Sequence, residues 1–393
     1  MSMQMIRVTR ASALASGVAI GVCLLASGAA AGGFSRAEAD TDILFTQGTV
    51  SLRSGAFVVS PSRGYATLMG EKANDGHYAD SFWGVGVALK AKLGDNLSCA
   101  LTPNEPFGAS ATYGEGAQNA EFLTATAQGI LANPTTSMSF DSKEYAGTCA
   151  VRIPVGPGNF YAIGGAFYQT FDYREDTWLG NVRLKDKGEW GYRLGAAYDV
   201  PDYAMRFQLL YRSAVEHTAT GVFTPSDLAA GLGIIDPLSA VGGGKLPQSL
   251  KLSAQTGVAP GWLVYGSVLW TDWSVLPSFD YTVSNLASSH RVFNYKDGYT
   301  VQVGVGHEFT DALSGTVNLT WDQGVGSGAD ITTDTWTMGL GAEYKTSIGT
   351  FGAGAALSYL TGGSQSALQG ATYDATAKGD WAVAGGLTYL VEF

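Results

Sequence analysis

The chain has 393 residues, a formal net charge of −11 and only 15% charged residues, whereas soluble domains average about 25%. The negative charge argues against nucleic acid as a partner, because phosphates select cationic surfaces. A mean hydropathy of +0.07 and the lack of about 18 consecutive apolar residues after residue 31 exclude a bundle of membrane-spanning helices.

Residues 1–31 are predicted to be a secretory signal peptide. Arg7 and Arg10 precede an apolar stretch over 11–26, and a small-residue cleavage site lies near Ala31. A stretch of about 16 residues is short for a membrane anchor. Removal of both arginines leaves 21 of the 23 basic residues against 34 acidic ones, so the mature chain is more negative still.

The exported chain keeps two of its three cysteines. Cys23 lies inside the predicted signal peptide, whereas Cys99 and Cys149 follow it. Export brings these two into an oxidising compartment. A disulfide bond between them and a pair of free thiols are both open.

From about Thr49 onward, apolar side chains recur at every second position. Period two indicates β-strands with one apolar face and one polar or small face. Several of these strands approach the roughly 9 to 11 residues that a tilted membrane-spanning strand needs. In one clear example the apolar positions are Trp336, Met338, Leu340, Ala342 and Tyr344.

Turn residues divide this region into strands joined by connections that are alternately short and long. Six short and seven long connections predict about fourteen antiparallel strands. The short connections are predicted at 93–96, 156–159, 200–203, 259–261, 310–312 and 347–350, and the long ones at 61–79, 104–140, 172–188, 218–247, 276–296, 323–332 and 361–379.

This alternation is typical of a bacterial outer-membrane barrel, which has tight periplasmic turns, larger external loops and an apolar outer band. The barrel must be closed, because an unpaired backbone amide in hydrocarbon costs several kcal/mol. The alternative, a large secreted all-β domain, gives no reason for placing every long loop at one end. We therefore predict an all-β fold, a transmembrane antiparallel β-barrel of about 14 strands, in the outer membrane of a Gram-negative bacterium.

The C-terminal stretch WAVAGGLTYLVEF is predicted to be the closing strand. Phe393 would lie at the periplasmic rim, and an aromatic final residue is the usual handle for outer-membrane assembly. We therefore expect the barrel assembly machinery and outer-membrane lipid among the partners of this chain. The residues predicted to face lipid are Trp381, Val383, Leu387, Tyr389, Val391 and Phe393.

An ordered set of segments carries a resemblance to a known family. Leu246-Pro247 leads into one predicted strand, and the Trp-x-x-Trp-Ser of 270–274 closes the next. The segment YKDGYTVQVGVGHEF follows at 295–309, and PNEPFG occupies 103–108 before the longest loop. Together these segments resemble the FadL-type outer-membrane transporters of long-chain fatty acids, over most of residues 50–393.

The resemblance implies passive uptake of hydrophobic molecules, with long-chain fatty acids as the first expected cargo and aromatic hydrocarbons as the second. It also implies an N-terminal plug, here residues 32–48, ahead of a barrel over 49–393. In the family an early kinked strand opens a lateral exit toward the membrane. The family's Asn-Pro-Ala motif is missing from the plug region, and the sequence does not locate the kink.

Apolar residues outside the strand pattern are candidate ligand-binding residues. A sixteen-carbon tail offers on the order of 10 kcal/mol, at about 0.8 kcal/mol per buried methylene. Helical spacing in the longest loop predicts a helix with an apolar capture groove. The loop residues could equally cap the barrel mouth. The apolar residues of the plug region could serve only to tether the plug. The candidates are Phe34, Ile43, Leu44 and Phe45 in the plug region and Phe122, Leu123 and Ile130 in the loop.

Basic residues at lumen-facing strand positions are candidates for orienting a carboxylate. A hydrogen bond to a charged headgroup adds about 1.5 to 3 kcal/mol. By strand parity, Arg193, Arg206 and Lys251 face the lumen. The alternative is that each pairs with an acid such as Asp199 or Asp322.

No motif indicates an enzyme, a cofactor site or a metal site. The four histidines lack metal-ligand spacing, and the glycine-rich 324–328 lacks the lysine of a phosphate-binding loop. Two other functions remain as alternatives, a general diffusion porin for small polar solutes and a structural or adhesive barrel. A low charge content and a plug argue against the porin.

Overall fold

The computed structural model describes residues 33–284 and 287–393, so the predicted signal peptide lies outside the described residues. Fourteen antiparallel strands form one sheet. The last strand pairs with the first, from Ser51 opposite Glu392 to Pro61 opposite Ala382, and this closes the sheet into a barrel. The predicted fourteen-strand β-barrel is therefore confirmed.

The strands β1 to β14 follow chain order, and four of them, β7 to β10, consist of two consecutive segments. Both segments of β7 pair with β6. The strands are β1 Val50–Pro61, β2 Phe82–Lys92, β3 Leu97–Thr112, β4 Thr135–Val155, β5 Gly158–Thr177, β6 Gly180–Val200, β7 Met205–Arg212 and Val215–Pro225, β8 Leu238–Leu246 and Ser249–Ala259, β9 Trp262–Thr271 and Ser278–Val283, β10 Ala287–Val292 and Gly298–Glu308, β11 Leu313–Asp322, β12 Thr335–Thr346, β13 Gly349–Leu360 and β14 Asp380–Glu392.

Apolar and small side chains alternate across the barrel wall as predicted. On β14, Trp381 and Val383 are exposed on the outer surface, whereas Ala382 and Ala384 are buried. Phe393 is 74% exposed at the end of the barrel that carries the short turns. A continuous apolar surface of this extent suits contact with lipid rather than water. Among the described residues, no helix has the length and hydropathy to cross a bilayer.

Aromatic side chains ring the outer surface at two levels. Residues of neighbouring strands stand side by side in each ring, and the centroids of Tyr359 and Trp381 are 5.1 Å apart. Such girdles mark the two boundaries of the apolar band of a membrane barrel. The girdle near the long loops, here called the upper girdle, includes Trp321, Trp336, Tyr359 and Trp381, and the lower girdle includes Tyr344, Phe351 and Tyr389.

One predicted long connection is wrong. Residues 172–188 form the ends of β5 and β6, and only Trp178 and Leu179 join these strands. Charged residues in this stretch suggest a loop, but beyond the membrane the outer face of a strand meets water. The pattern therefore inverts, with Tyr173 and Leu184 buried inside. The connections observed in place of 104–140, 218–247 and 276–296 are also shorter than predicted, because strands extend into these ranges.

The six short turns lie where the sequence predicts them, and the long loops cover the opposite end of the barrel. Helix α1 (Glu115–Ala127) follows β3, and Asp75 of the first loop accepts hydrogen bonds from the N–H groups of Gly116 and Ala117 at its start. These bonds satisfy donors that a helix N-terminus leaves free. The remaining elements are helix α2 (Asp227–Gly231), the short 3-10 helices Asp42–Phe45, Pro201–Tyr203, Trp273–Val275 and Ala367–Gln369, and a second small sheet of Thr67–Leu68, Glu71–Lys72, Gly363–Gln365 and Ala375–Ala377.

Cys99 and Cys149 form a disulfide bond, so of the two open alternatives the bridge is present. The two residues lie directly opposite each other on β3 and β4. A disulfide typically stabilises a protein by about 2 to 4 kcal/mol. This bond holds β3 to β4 near the short turns, close to the point where β3 leaves β2.

Candidate functional site

A cavity of about 390 Å³, here called the upper cavity, occupies the lumen near the long loops. This volume falls within the roughly 300 to 1,000 Å³ of ligand pockets. The ring of Phe34 packs edge-on against Phe140 and Phe293, with centroid distances of 5.0 and 5.3 Å. The aromatic residues of the wall are Phe34, Phe82, Phe140, Phe171, Phe279, Phe293, Tyr65, Tyr78, Tyr113, Tyr173 and Tyr373.

The buried cations of the upper cavity have partners in the protein. Arg63 lies 3.5 Å from the carboxylate of Asp380 and donates hydrogen bonds to the carbonyl oxygens of Thr361 and Lys378. Arg291 donates to the carboxylate of Glu175 at 3.0 Å. Since these charges are already compensated, a carboxylate entering the cavity would lose its hydration without gaining a free cation. The wall therefore favours uncharged apolar molecules.

Two carboxyl groups of the external loops beside this cavity have raised pKa values. Burial raises the pKa of Glu121 on α1, and the charge of Arg291 opposes the rise. Burial also raises the pKa of Asp330, against hydrogen bonds from Tyr295 and Thr332. Both groups bind a proton at a higher pH than in an unfolded chain, so the cavity mouth becomes less negative as the pH falls.

Residues 33–49, here called the inner segment, lie inside the barrel. Three acids at alternate positions of this segment form ion pairs with cations on three different strands. Only a segment within the lumen can reach β1, β7 and β8 at once. The pairs are Asp40 with Arg53 of β1 at 2.6 Å, Asp42 with Arg206 of β7 at 3.1 Å and Glu38 with Lys251 of β8.

The C-terminal half of the inner segment is packed against the wall. Ile43 and Leu44 are buried against alanines of β2, β3, β4 and β6. The ammonium group of Lys90, itself buried, donates to the carbonyl oxygens of Thr46 and Gly48 at 2.8 and 2.5 Å. This half is therefore held by apolar packing and by hydrogen bonds as well as by charge.

A second cavity of about 230 Å³, here called the lower cavity, lies between the inner segment and the wall nearer the short turns. Glu144, which is 0% exposed, accepts hydrogen bonds from Nε and Nη2 of Arg212 at 3.0 and 2.9 Å and another from Arg193. Both guanidinium groups also lie over the ring of Phe167. The lower cavity thus has a polar wall with fixed charges, unlike the upper one.

Strands β2 and β3 leave a gap in the barrel wall. They pair only from Leu89 to Lys92 of β2, and an isolated pair between Ala79 and Ala111 joins the two walls again near the loops. The gap spans residues 82–88 of β2, which is roughly 23 Å at about 3.3 Å per residue. We call this gap the lateral window.

The segment PNEPFG of β3 accounts for the lateral window. Pro103 and Pro106 have no N–H group to donate to a ladder, and β3 carries a bulge between Asn104 and Phe107. Both features oppose a continuous ladder with β2. The sequence signal for the kinked strand was therefore a pair of prolines three residues apart within an otherwise regular strand.

The lateral window opens within the apolar band and borders the upper cavity. Phe82 lies opposite Val59 on β1, which in turn lies opposite Ala384, three residues below Trp381 of the upper girdle. Phe82, Val59 and Gly108 also belong to the wall of the upper cavity. A molecule in that cavity therefore has a route to the bilayer-facing surface.

The structure separates the residues that the sequence selects as candidate site residues. Phe34 lines the upper cavity, and the three basic candidates line the lower one. The other candidates line neither cavity: Ile43 and Leu44 are buried, Phe45 packs on Tyr161, and Phe122, Leu123 and Ile130 are exposed outside the mouth.

The expected partners of the basic candidates are different from those observed. Arg193 pairs with Glu144, and the other two pair with acids of the inner segment, rather than with Asp199 or Asp322. Asp199 accepts hydrogen bonds from Asn159 and Tyr161 instead. Strand parity predicts which side chains face the lumen, but it does not predict which acids the folded inner segment brings to them.

Comparisons with known proteins agree with this geometry. The family described as outer membrane protein transport protein (OMPP1/FadL/TodX) matches residues 170–385, which is more than half of the chain. No curated protein matches this chain.

Solved structures of the same fold are similar over nearly the whole chain. The Pseudomonas aeruginosa FadL homologue is 14% identical with a TM-score of 0.69, covering 94% of this chain and 98% of its own. The Pseudomonas putida toluene transporter TodX is 14% identical with a TM-score of 0.61, covering 96% and 98%. The Ralstonia pickettii toluene transporter TbuX is 13% identical with a TM-score of 0.60, covering 95% and 98%.

Three findings indicate the same family. They are the closed fourteen-strand barrel, the lumen divided by an inner segment and the family match over residues 170–385. The chain belongs to the outer membrane protein transport protein family, OMPP1/FadL/TodX, whose members carry hydrophobic small molecules through the outer membrane as channels and not as enzymes.

Proposed function

We propose that this chain takes up uncharged hydrophobic molecules passively, by way of the upper cavity and the lateral window. The observation that carries the proposal is the position of the window, which joins an aromatic cavity to the outer surface within the apolar band. Cargo would enter between the external loops, bind among the aromatic rings and leave sideways into the bilayer. Passive flow needs no energy source, because the cargo moves toward the phase in which it is more soluble.

In this proposal the inner segment, residues 33–49, serves as the plug that the sequence predicts over residues 32–48. Its three ion pairs and the packing of Ile43 and Leu44 support a fixed barrier between the two cavities. An axial route would require these contacts to break. The lateral route requires only that the window be free, so it is the less costly of the two.

Among the cargo classes expected from the sequence, aromatic hydrocarbons fit the upper cavity best. Aromatic pairs contribute about 0.5 to 1.5 kcal/mol beyond their area burial, and eleven aromatic side chains line this cavity. Two structurally similar channels, TodX and TbuX, are toluene transporters. We therefore infer compact aromatic hydrocarbons as the cargo of this chain.

Long-chain fatty acids are the second candidate cargo. One observation favours them: Nε of Arg291 is buried in the described structure without a hydrogen-bond partner, and Arg291 lines the upper cavity. A carboxylate or a protonated carboxyl group beside Arg291 would accept that hydrogen bond. The alkyl tail would then lie among the aromatic rings.

The two candidates can be separated by binding measurements on the purified protein in detergent, with naphthalene and the fluorescent fatty acid parinaric acid as probes. We expect naphthalene to bind, and Phe34→Leu to weaken it about three- to tenfold, since the ring is lost while apolar volume is kept. Phe309→Leu, at an exposed phenylalanine near the short turns, is the matched control.

Two results would overturn the preference for aromatic cargo. Tighter binding of parinaric acid than of naphthalene, weakened by Arg291→Gln, would establish the fatty acid instead. Absence of binding by either probe, together with a large and steady ion current in planar bilayers, would point to a general porin.

A further inference from the structure

Arg36 of the inner segment occupies the lateral window. The register of β2 and β3, continued upward from Leu89 opposite Leu101, places Phe82 opposite Gly108. These two residues stand on the two rims of the window. The guanidinium carbon of Arg36 lies 4.7 Å from the centroid of the Phe82 ring, and the backbone N–H of Arg36 donates to the carbonyl oxygen of Pro106 at 2.8 Å.

The side chain of Arg36 reaches from the lumen to the outer face of the wall. Asp141 lies opposite Gly108 on β4, and its neighbour Phe140 points into the upper cavity. By strand alternation Asp141 faces outward, and so does the position that a side chain at Gly108 would take. Nη1 of Arg36 donates to the carboxylate of Asp141 at 3.0 Å, so the guanidinium group passes through the window.

Glycine at position 108 makes room for this arrangement. A Cβ atom added there would lie 2.5 Å from the guanidinium carbon of Arg36 and 2.6 Å from its Nε. Real Cβ atoms do not approach other atoms so closely, so any larger residue would displace the arginine. The β3 rim of the window is therefore shaped to receive the Arg36 side chain.

The side chain of Arg36 is held less firmly than that of Arg212 at the lower cavity. Nε of Arg36 has no hydrogen-bond partner in the described structure, and its ion-pair partner Asp141 has a side chain that is 47% exposed. Its second acidic neighbour, Glu105, lies 4.0 Å away, and exposure of both acids to water weakens their attraction for the guanidinium group. Arg212, in contrast, donates to a fully buried carboxylate and to the carbonyl oxygens of Ser213 and Pro247.

We propose that Arg36 is the gate of the lateral window, a side chain that closes the exit at rest and swings away to release cargo. This inference rests on the proposed function, since it assigns the step that limits departure into the bilayer. The guanidinium group lies over a ring on the exit path, where an aromatic cargo can replace Phe82 as its π partner. Arg36 thereby becomes the residue that sets the release rate, while the rings of the upper cavity set affinity.

Access through the window can be measured directly, without cargo. Ala109→Cys places a single thiol on the cavity wall beside the window, because both mature native cysteines are in a disulfide. The protein is reconstituted in vesicles, and a bilayer-dissolved pyrene maleimide labels the thiol. Arg36→Ala should increase the labelling rate about tenfold, equivalent to about 1.4 kcal/mol in the barrier. Gly108→Ala should act in the same direction by displacing the arginine.

Uptake is the second measurement. Cells of a Gram-negative host that lacks its own transporter of this family express each variant, and the fluorescence of N-phenylnaphthylamine reports arrival in the membrane. Arg36→Ala should raise the initial rate by a larger factor than it changes the dissociation constant of the purified protein for naphthalene. Arg174→Ala, which removes a half-exposed arginine paired with Asp172 away from the window, is the control and should change neither measurement.

The two measurements distinguish a failure of the gate hypothesis from a failure of the proposed transport function. Unchanged thiol labelling in both Arg36→Ala and Gly108→Ala, in barrels that still resist denaturation, rejects the gate whatever the uptake. Faster labelling without any uptake by the wild-type protein supports the gate and rejects the transport function instead.

Discussion

At the scale of single residues, the wall near the lower cavity contains buried charges that are held in fixed positions by their partners. Glu144 is enclosed between Arg193 and Arg212, and both arginines also lie over Phe167. Charges removed from water are tolerated only when they are paired and hydrogen-bonded. The arrangement fixes β4, β6 and β7 relative to one another at the level of the lower cavity.

Glu144→Gln is expected to destabilise the barrel by about 3 to 5 kcal/mol, because it leaves two buried guanidinium groups without a counter-charge. Thermal unfolding in detergent, followed by circular dichroism, measures the change. Glu216→Gln removes the same charge at an exposed strand position and should have little effect. Equal stability of Glu144→Gln and wild type would mean that the arginines find other partners or bulk water.

At the scale of elements, the inner segment depends on both charge and packing. Its acids at alternate positions pair with three strands, and Lys90 binds its C-terminal end through carbonyl oxygens. Arg53 and Asp40 are the most enclosed of these pairs, with side chains 4% and 9% exposed. Removal of either partner of this pair would leave the other as an uncompensated buried charge.

We expect the double variant Asp40→Asn with Asp42→Asn to loosen the inner segment and open an axial path for ions. In planar bilayers the wild type should pass little current, whereas the double variant should show frequent openings. Asp311→Asn, in an exposed short turn, is the control. A variant that stays as closed as the wild type would assign the barrier to the contacts that remain, which are the packing of Ile43 and Leu44, the hydrogen bonds of Lys90 and the pair of Glu38 with Lys251.

At the scale of the whole molecule, one strand pattern serves two environments. Within the bilayer, apolar side chains such as Leu340 face outward; above it, β5 and β6 bury Tyr173 and Leu184 inside and present charges to water. β5 and β6 thus run without interruption from the bilayer into the external solution, while their outer face changes from apolar to charged. From this inversion the upper cavity gains Phe171 and Tyr173, two of its aromatic residues.

Leu340 provides a test of the bilayer position of the barrel. It is 53% exposed and lies midway along β12, between Trp336 of the upper girdle and Tyr344 of the lower one. Leu340→Arg should destabilise the barrel in phospholipid vesicles by about 2 to 4 kcal/mol, the cost of arginine near the midplane. Leu340→Met should be close to neutral. If Leu340→Arg leaves the stability unchanged, this surface lies outside the hydrocarbon.

The strands of the barrel could largely be predicted from the sequence, because lipid contact imposes a strict period of two. The alternation of Trp381, Val383 and their small neighbours is visible without coordinates. The extensions of β5 and β6 were not predictable by the same rule, since outside the bilayer a charged outer face resembles a loop. Of the candidate site residues, only Phe34 lies in the upper cavity.

By itself, the sequence determined the class of fold, the number of strands and the inward direction of Arg193, Arg206 and Lys251, because each follows from local periodicity. The tertiary structure alone decided that two of these cations bind acids of the inner segment and that Arg36 lies between Phe82 and Gly108. Such contacts join residues far apart in the chain. No local pattern encodes them, because they form only when closure of the barrel brings the wall around the inner segment.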